Sequence, residues 1–257
     1  MDLNPTGRFS NRVETYVKFR PGYPHGVVET LVSECGLTRD SVVADIGSGT
    51  GILTALLLES GCRVCAVEPN EAMRTAAESA LGGCDRFTSV DGTAEATTLP
   101  DDSIDIVTAG QAFHWFDRHK ARDEFQRILK PSGWVALIWN VRCTEATPFM
   151  TDYETALRSY GTDYAQVVHG SLSDGELGDV FGGDGRFSVA AFPNSQVLDR
   201  DGFLGRALSA SYAPAAGHPD HERLVSDMHR IFDRHQHDGT VRFEYETRMF
   251  YGRAGDA

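Results

Sequence analysis

The sequence predicts an α/β fold built on a mostly parallel sheet with helices on both faces. Short apolar runs alternate with helical segments through the first half of the chain, a rhythm that is typical of parallel sheets with helical crossovers. The first apolar run ends in a glycine-rich loop that opens a helix. After Asn140 the rhythm changes to helices and loops before a final strand, which predicts an inserted helical cap.

The elements of the first half are bounded by turn and capping residues. Gly61 stops the first helix after the glycine loop, Asn70 caps the next helix, and a turn at Pro100 leads into the fourth strand. Lys130-Pro-Ser-Gly is predicted as the turn into the fifth strand. The predicted strands are 42–46, 63–67, 87–90, 104–109 and 134–139, and the predicted helices are 51–59, 70–81 and 119–129.

The second half is predicted to be mainly helical, with two further strands. Val241, Phe243, Tyr245 and Thr247 alternate with charged residues, which indicates a strand with one wetter face, antiparallel to its neighbours. The predicted helices are 148–160, 172–181, 200–211 and 219–235, and the predicted strands are 187–192 and 240–251.

Composition and charge limit the classes of partner. The net charge of −13 repels phosphate backbones, so we expect no nucleic-acid partner. No apolar run approaches the ~20 residues that cross a bilayer, and the first residues lack the charged and apolar regions of a signal peptide. We therefore expect no membrane partner and a cytoplasmic location. The five cysteines are scattered, which is typical of reduced thiols and predicts no metal site. No pattern indicates an oligomeric state.

The loop after the first strand reads Asp45-Ile-Gly-Ser-Gly-Thr-Gly-Ile-Leu. Glycines at the end of a strand let a ligand approach the backbone, and Glu68, at the end of the second strand, can accept both hydroxyls of a ribose. A dinucleotide loop requires G-x-G-x-x-G, but here the glycines alternate and Ile52 stands in the third position. Asp45 would also repel a pyrophosphate, whereas it suits an ammonium group.

This loop resembles motif I of the class I S-adenosylmethionine-dependent methyltransferases, and the layout resembles their Rossmann-like, seven-stranded fold. The resemblance covers residues 16–140 and, less closely, the last strands. It implies S-adenosyl-L-methionine as the cofactor and S-adenosyl-L-homocysteine as the product. The implied segments are an amino-terminal lid with helices (1–40), the cofactor-binding core (41–142), a helical cap and substrate region that includes the sixth strand (143–237), and the final strand (238–257).

The resemblance also implies which residues surround the cofactor. Asp45 would hold the ammonium directly or through water, or would fix the loop through backbone N–H groups. Met73 would pack on the adenine or in the core. Relatives commonly carry an acid where Thr93 stands, so Thr93, Glu95 or the carbonyl of Ala94 is left as the adenine partner. The cofactor-binding candidates are Tyr16, Arg20, Asp45, Gly47, Ser48, Gly49, Gly51, Glu68, Pro69, Met73, Thr93, Ala94, Glu95, Gln111 and Ala112.

The segment after the fourth strand, Ala109-Gly-Gln-Ala-Phe-His-Trp-Phe, indicates the kind of acceptor. It lacks the Asn/Asp-Pro-Pro-Tyr of many nucleic-acid and glutamine methyltransferases, and it resembles the small-molecule group that includes trans-aconitate methyltransferase. The resemblance implies His114 as a general base, or otherwise as a structural residue. The acceptor-site candidates are Phe113, His114, Trp115, Asn140 and Tyr212.

The sequence therefore predicts a methyltransferase that moves a methyl group from S-adenosylmethionine to a small-molecule acceptor by in-line displacement. One alternative is a non-catalytic or regulatory protein that binds S-adenosylmethionine or S-adenosylhomocysteine on the same fold. A second is a nicotinamide dehydrogenase, which the spacing of the glycines disfavours. The acceptor atom, whether oxygen, nitrogen or carbon, is left open.

Overall fold

The computed structural model describes residues 19–161, 174–181, 187–210 and 212–254. Within these ranges one seven-stranded sheet has the order β3-β2-β1-β4-β5-β7-β6, which confirms the predicted fold class. The strands are β1 (Val42–Ile46), β2 (Arg63–Val67), β3 (Phe87–Val90), β4 (Ile104–Gly110), β5 (Leu129–Arg142), β6 (Phe187–Leu198) and β7 (Val241–Gly252).

Helices cover both faces of the sheet and form the cap. The described helices are α1 (Gly26–Cys35), α2 (Ile52–Glu59), α3 (Glu71–Leu81), α4 (Arg118–Ile128), α5 (Pro148–Tyr160), α6 (Asp174–Phe181), α7 (Arg200–Leu208) and α8 (His221–His235), with a short 3-10 helix at Phe113–Trp115. In these parts of the chain, no helix combines the length and the apolar composition that spanning a bilayer requires.

The direction of chain progression across the sheet reverses at β1. This strand pairs in parallel with β2 on one side and with β4 on the other. At such a switch point the loops that leave the two strands diverge, and a ligand crevice opens outside the carboxyl ends. The glycine loop after β1 lies at this crevice. At the other side of the sheet, β7 runs antiparallel between β5 and β6, as the resemblance implies.

Side-chain oxygens cap several helices at their amino ends. Asn70 accepts a hydrogen bond from the Met73 N–H at the start of α3, as predicted, and Asp117 does the same for α4. Each cap satisfies a backbone N–H that has no partner inside its helix. The predicted helix over 200–211 ends earlier, at Leu208. The predicted helix over 172–181 is described from Asp174, and its first two residues, 172 and 173, lie outside the described ranges.

Two strands are longer than the sequence predicts. β5 begins at Leu129 and passes through the predicted turn at 130–133, with an irregularity opposite 104–106 that absorbs the change of register. β6 continues past Phe192 to Leu198, because it pairs with β7 along its whole length. Pro193 looks like a strand terminator, but β6 is an edge strand, where proline is tolerated.

Three apolar clusters hold the layers together. One joins α4 and α6 to one sheet face, and a second joins α1 and α2 to the other. The third lies in the cap, where Phe149, Tyr153 and Phe203 pack around Phe243 of β7 with ring centroids 4.9–5.9 Å apart. The final strand is therefore both a member of the sheet and the centre of the cap core.

Gly51 offers a test of how α2 packs against α3. Its φ of 85° is left-handed, and an added Cβ would lie 2.8 Å from Leu81 Cδ1 and 3.3 Å from Ala77 Cβ. We expect Gly51→Ala to lower the free energy of unfolding by about 2–3 kcal/mol, through backbone strain and overpacking. Denaturant unfolding measures this. The control is Gly83→Ala, where nothing lies within 4 Å of the added Cβ. Equal effects of the two substitutions would contradict the packing argument.

Candidate active site

The glycine loop after β1 adopts a conformation that requires glycine. Gly47, Gly49 and Gly51 have φ values of 66°, 59° and 85°, a region that side chains with a Cβ enter only at a cost. The N–H groups of Gly47 and Ser48 both donate to the carbonyl of Val67, at 2.9 and 3.1 Å. The loop is thereby fixed to the end of β2, where Glu68 follows.

Glu68 lies directly beneath this loop. Its Oε2 accepts the Gly49 N–H at 2.9 Å, and its Oε1 accepts the Asn70 N–H at 2.8 Å. The residue is 8% exposed, and burial raises the pKa of its carboxyl although both N–H donors oppose that shift. Each carboxylate oxygen has two lone pairs, so each can still accept a hydroxyl proton. The sequence prediction that Glu68 binds a ribose diol is compatible with this geometry.

Asp45 lies deeper than the sequence suggests. It is 1% exposed, and its carboxylate accepts hydrogen bonds from the hydroxyls of Thr54, at 2.6 Å, and Thr108, at 3.1 Å. The backbone N–H of Thr54 also interacts with Asp45, so the carboxylate anchors β1 to α2 and β4, which is compatible with the anchoring interpretation. The ammonium contact stays a prediction. Burial raises the pKa of Asp45 to about 6, against the effect of the two hydroxyls.

The three glycines differ in what surrounds them. A Cβ on Gly47 would lie 2.6 Å from Ala112 Cβ, so this glycine brings the β1 and β4 loops into contact. Gly49 lies beside the buried Met73, whose sulfur would be 3.5 Å from an added Cβ, and Gly51 faces α3.

Sequence reasoning missed Thr50, which lies between Gly49 and Gly51. Its buried hydroxyl has no hydrogen-bond partner in the described chain. A buried hydroxyl without a partner inside a ligand loop is the signal that identifies it.

The loop after β3 is folded on itself. Thr93 and Ala96 exchange backbone hydrogen bonds at 3.2 and 3.3 Å, and Ala94 is buried in the core. The Oε1 of Glu95 accepts the Asp117 N–H at 2.8 Å and so supports the start of α4. Among the three predicted adenine contacts, Thr93 is the exposed one. Pro69 follows Glu68 in the neighbouring turn.

The segment after β4 turns sharply at Gln111. This residue has a φ of 57°, its N–H donates to the carbonyl of Ile138, and its Nε2 donates to the carbonyl of Asn140 at 3.1 Å. A left-handed non-glycine residue stores strain that its surroundings must hold. Ala112, the next residue, contacts Gly47 as described above.

Sequence reasoning also missed Tyr23. Its hydroxyl lies against Gly110 and would be 2.6 Å from a Cβ added to that glycine.

The predicted acceptor residues after β4 separate into core and surface. Phe113 is fully buried, with its ring 5.7 Å from that of Phe116 in an edge-to-face contact. It is therefore a core residue, and its predicted contact with an acceptor is wrong. His114 is exposed beside Trp115, with ring centroids 4.7 Å apart. These two remain candidates.

Asn140 connects three parts of the chain. Its Nδ2 donates to the carbonyl of Gly22 at 3.0 Å, and its Oδ1 accepts from Asn194 Nδ2 and from the Thr247 hydroxyl. These bonds make Asn140 a structural link. One Nδ2 proton remains, and the predicted contact with an acceptor stays a prediction.

The remaining candidates lie in or near the cap. The Tyr212 hydroxyl accepts from Arg142 Nη1 at 2.8 Å, and Arg20 Nη2 donates to the carbonyl of Ser209 at 3.2 Å. The described partner of Arg20 is thus in the cap and not in the cofactor loop. Tyr16 lies outside the described residues. The described ranges bring together no group of three His, Cys, Asp or Glu side chains that could hold a metal ion.

Comparison with known proteins agrees with this arrangement. The family model described as a methyltransferase domain matches residues 44–137, which run from β1 through the glycine loop and Glu68 into β5. This segment of the chain is a methyltransferase domain. The match confirms the resemblance inferred from the sequence, and the matched segment contains the glycine loop and Glu68 of the proposed donor site.

Relatives of this methyltransferase fall into two groups by coverage. An uncharacterized methyltransferase-like protein of Schizosaccharomyces pombe is 27% identical over 249 residues, which is 94% of this chain and 93% of that protein. An uncharacterized methyltransferase of Mycobacterium tuberculosis is 37% identical over 134 residues, which is 52% of each protein. This chain therefore spans about half the length of the Mycobacterium tuberculosis relative.

Solved structures share the fold of this methyltransferase. A protein of Anaeromyxobacter dehalogenans, described as a type II methyltransferase, superposes with a TM-score of 0.64 at 21% identity, over 93% of this chain and 100% of that one. A phosphoethanolamine N-methyltransferase of Haemonchus contortus superposes with a TM-score of 0.55 at 16% identity, over 99% of this chain and 59% of that one. At these identities the likeness shows the fold alone.

The buried Asp45 predicts a pH-dependent stability. Its pKa of about 6 in the folded protein exceeds the ~3.9 of an unfolded aspartate, so between these values the folded state holds a proton that the unfolded chain has lost. Stability from this group therefore falls as pH rises through that window. We expect the difference in unfolding free energy, wild type minus Asp45→Asn, to fall by about 2 kcal/mol from about pH 4 to about pH 7.

Denaturant unfolding at several pH values measures this difference. Asp40→Asn, at the exposed turn before β1, controls for the loss of one negative charge. A wild-type minus Asp45→Asn difference that stays constant across the window would show that the buried carboxyl does not titrate there.

Proposed function

We propose that this methyltransferase transfers a methyl group from S-adenosylmethionine to a small-molecule acceptor by in-line displacement. The observation that supports the proposal most is the buried Glu68 carboxylate, hydrogen-bonded to the Gly49 N–H at the switch point of the sheet. A carboxylate at the end of β2 matches a ribose diol. Bound S-adenosylmethionine would supply an activated methyl group on its sulfonium.

The charges and open atoms at the site favour this donor over a dinucleotide. Glu68 and Asp45 are both carboxyl groups, which oppose a pyrophosphate and are compatible with a cationic donor. Thr50 adds a buried hydroxyl that can meet a polar group of the ligand. The Haemonchus enzyme with the same fold is in complex with S-adenosylhomocysteine, and we propose the same product here.

The protein would contribute mainly alignment. Glu68 would hold the ribose, and the glycine loop would let the donor lie against the backbone without a Cβ in the way. Gln111, held in its left-handed conformation by bonds to β5, would border the reacting centre at the end of β4. Orientation of two bound reactants can lower a barrier by ~7–11 kcal/mol, which is enough for a donor that is already activated.

The acceptor would lie on the cap side of this centre, near His114 and Trp115. We propose His114 as the base that removes a proton from the acceptor, since its exposed ring lies next to the β4 turn. A small-molecule acceptor rather than a nucleic acid, and a cytoplasmic location, belong to the same proposal.

Titration calorimetry with S-adenosylmethionine, S-adenosylhomocysteine and NAD⁺ tests the donor. We expect the first two ligands to bind and NAD⁺ to give no heat. No binding of either sulfur compound at millimolar concentration would overturn the proposal. An acceptor screen with a labelled methyl donor then separates an enzyme from the non-catalytic alternative, because a regulatory binder would take up the donor and transfer no label.

Glu68→Gln tests the ribose contact. The amide keeps the shape of the side chain but loses the charge and one acceptor oxygen, so we expect the dissociation constant for S-adenosylhomocysteine to rise ~10–100-fold, the value of a charge-assisted hydrogen bond. Calorimetry measures the change. Glu71→Gln, in the exposed first turn of α3, is the matched control. Equal affinities for wild type and Glu68→Gln would place the ribose elsewhere.

His114→Ala tests the proposed base once an acceptor is found. If His114 removes the proton, kcat should fall ~10²–10⁴-fold at neutral pH, and the loss should shrink as pH rises because the acceptor then ionises by itself. The control is His119→Ala, in the exposed first turn of α4. A fall of only a few-fold, the same at every pH, would leave His114 without a role in proton transfer.

A further inference from the structure

Three arginines and three tyrosines meet beneath the cap, on the sheet face that Asn140 shares. They come from six parts of the chain: the segment before α1, the end of β5, α5, α7, the turn after α7, and β7. We name them the arginine–tyrosine cluster: Arg20, Arg142, Arg206, Tyr153, Tyr212 and Tyr245.

Hydrogen bonds join the members of this cluster in pairs. Arg142 Nη1 donates to the Tyr212 hydroxyl at 2.8 Å, and Arg206 Nε donates to the Tyr245 hydroxyl at 3.4 Å. The guanidinium of Arg142 also lies 5.8 Å from the ring centroid of Tyr153. The cluster is therefore a continuous polar region inside an otherwise apolar cap.

Two buried polar atoms of the cluster are unsatisfied. Within the described chain, neither Nη1 of Arg206 nor the hydroxyl of Tyr153 has a hydrogen-bond partner. Arg206 is 3% exposed and Tyr153 is fully buried, so bulk water does not satisfy them. A buried guanidinium donor without an acceptor is costly and is retained where a ligand supplies the acceptor.

Positive charge is concentrated in the cluster. Arg142 Nη2 lies 3.5 Å from Glu154 Oε2, whereas the groups that act on Arg206 in the described chain are tyrosines and Arg142. Burial alone would raise the pKa of Tyr212, yet the surrounding arginines lower it. This positive interior stands in a chain whose net charge is −13.

The cluster lies next to the proposed acceptor position. Asn140, whose carbonyl accepts from Gln111 Nε2, and Arg142 are two residues apart on the same face of β5. Two residues of a strand span about 7 Å. A small molecule could therefore place one end among the arginines and its methyl-accepting atom beside Gln111.

We propose that the arginine–tyrosine cluster binds an anionic oxygen group, a carboxylate or a phosphate, of the methyl acceptor. Guanidinium groups bind both in paired hydrogen bonds, and tyrosine hydroxyls donate to them. The proposal rests on the proposed methyl transfer, since it names the class of acceptor for that same site. A purely structural cluster, balanced by Glu154 and an ionised Tyr212, is the opposing interpretation.

Anion binding is tested with citrate, benzoate and glycerol phosphate, each at millimolar concentration, on the protein with and without saturating S-adenosylhomocysteine. Calorimetry and thermal unfolding follow binding, and triethyl citrate, benzamide and glycerol are the neutral counterparts. We expect at least one anion to bind and to raise the melting temperature, while its neutral counterpart does neither. Whether a carboxylate or the phosphate is the better ligand identifies the group.

Variants connect the binding to the cluster. Arg206→Met should weaken the anion at least about tenfold and leave the melting temperature of the ligand-free protein unchanged or higher, because a buried charge with an unsatisfied donor is gone. Tyr153→Phe removes only the unpartnered hydroxyl and should weaken the anion with no loss of stability, which keeps the test valid if Arg206→Met does not fold. Arg223→Met, an exposed arginine in the first turn of α8, is the control.

The outcomes separate this proposal from the function it rests on. Binding of S-adenosylhomocysteine without any anion effect overturns the cluster proposal alone. An anion effect that survives Tyr153→Phe, or destabilisation of the ligand-free protein by Tyr153→Phe, assigns the cluster a structural role and overturns it as well. Absence of S-adenosylhomocysteine binding overturns the proposed function, whereas the anion titration on the unloaded protein still reports on the cluster.

Discussion

The contact between the Glu68 carboxylate and the Gly49 N–H is the constraint on which the donor half of the molecule depends. It joins the end of β2 to the loop after β1, across the point where the order of the strands reverses. The loop can make this contact because its three glycines adopt left-handed conformations, and Ala112 closes the crevice from the β4 side by lying against Gly47. A buried carboxylate is stable here because backbone N–H groups meet both of its oxygens.

Asp45 and Glu68 are both buried beside the glycine loop, but their hydrogen-bond partners differ. Side-chain hydroxyls surround Asp45 beneath the loop, so it links β1 to α2 and β4. Backbone N–H groups hold Glu68 at the crevice, with lone pairs left over. The first is buried with a raised pKa, and the second keeps the lone pairs that the proposed ribose contact requires.

Local signals in the sequence were sufficient where a residue acts within its own element. Asn70 was recognisable as a helix cap, and the glycine loop and Glu68 could be placed because parallel strands end at one edge. Phe113 and Asp45 could not be placed, since their burial is decided by helices far away in sequence. The predicted end of β6 at residue 192 was too early, because the pairing with β7 that extends this strand is a property of the assembled sheet. The arginine–tyrosine cluster, drawn from six segments, leaves no local pattern at all.

The carbonyl of Gly22 accepts one hydrogen bond from Asn140 Nδ2 and another from Asn194 Nδ2. The segment before α1 is therefore held to β5, inside the sheet, and to β6, at its edge. The proposed donor residues are close together in the chain, whereas these two hydrogen bonds connect Gly22 with residues 118 and 172 positions away. A chimaera that replaces the second half of this chain would thus need to keep an asparagine opposite Asn140 on the edge strand. The two asparagines thus share one peptide oxygen as their acceptor, and the start of the chain is held at the inner and the edge strand by the same atom.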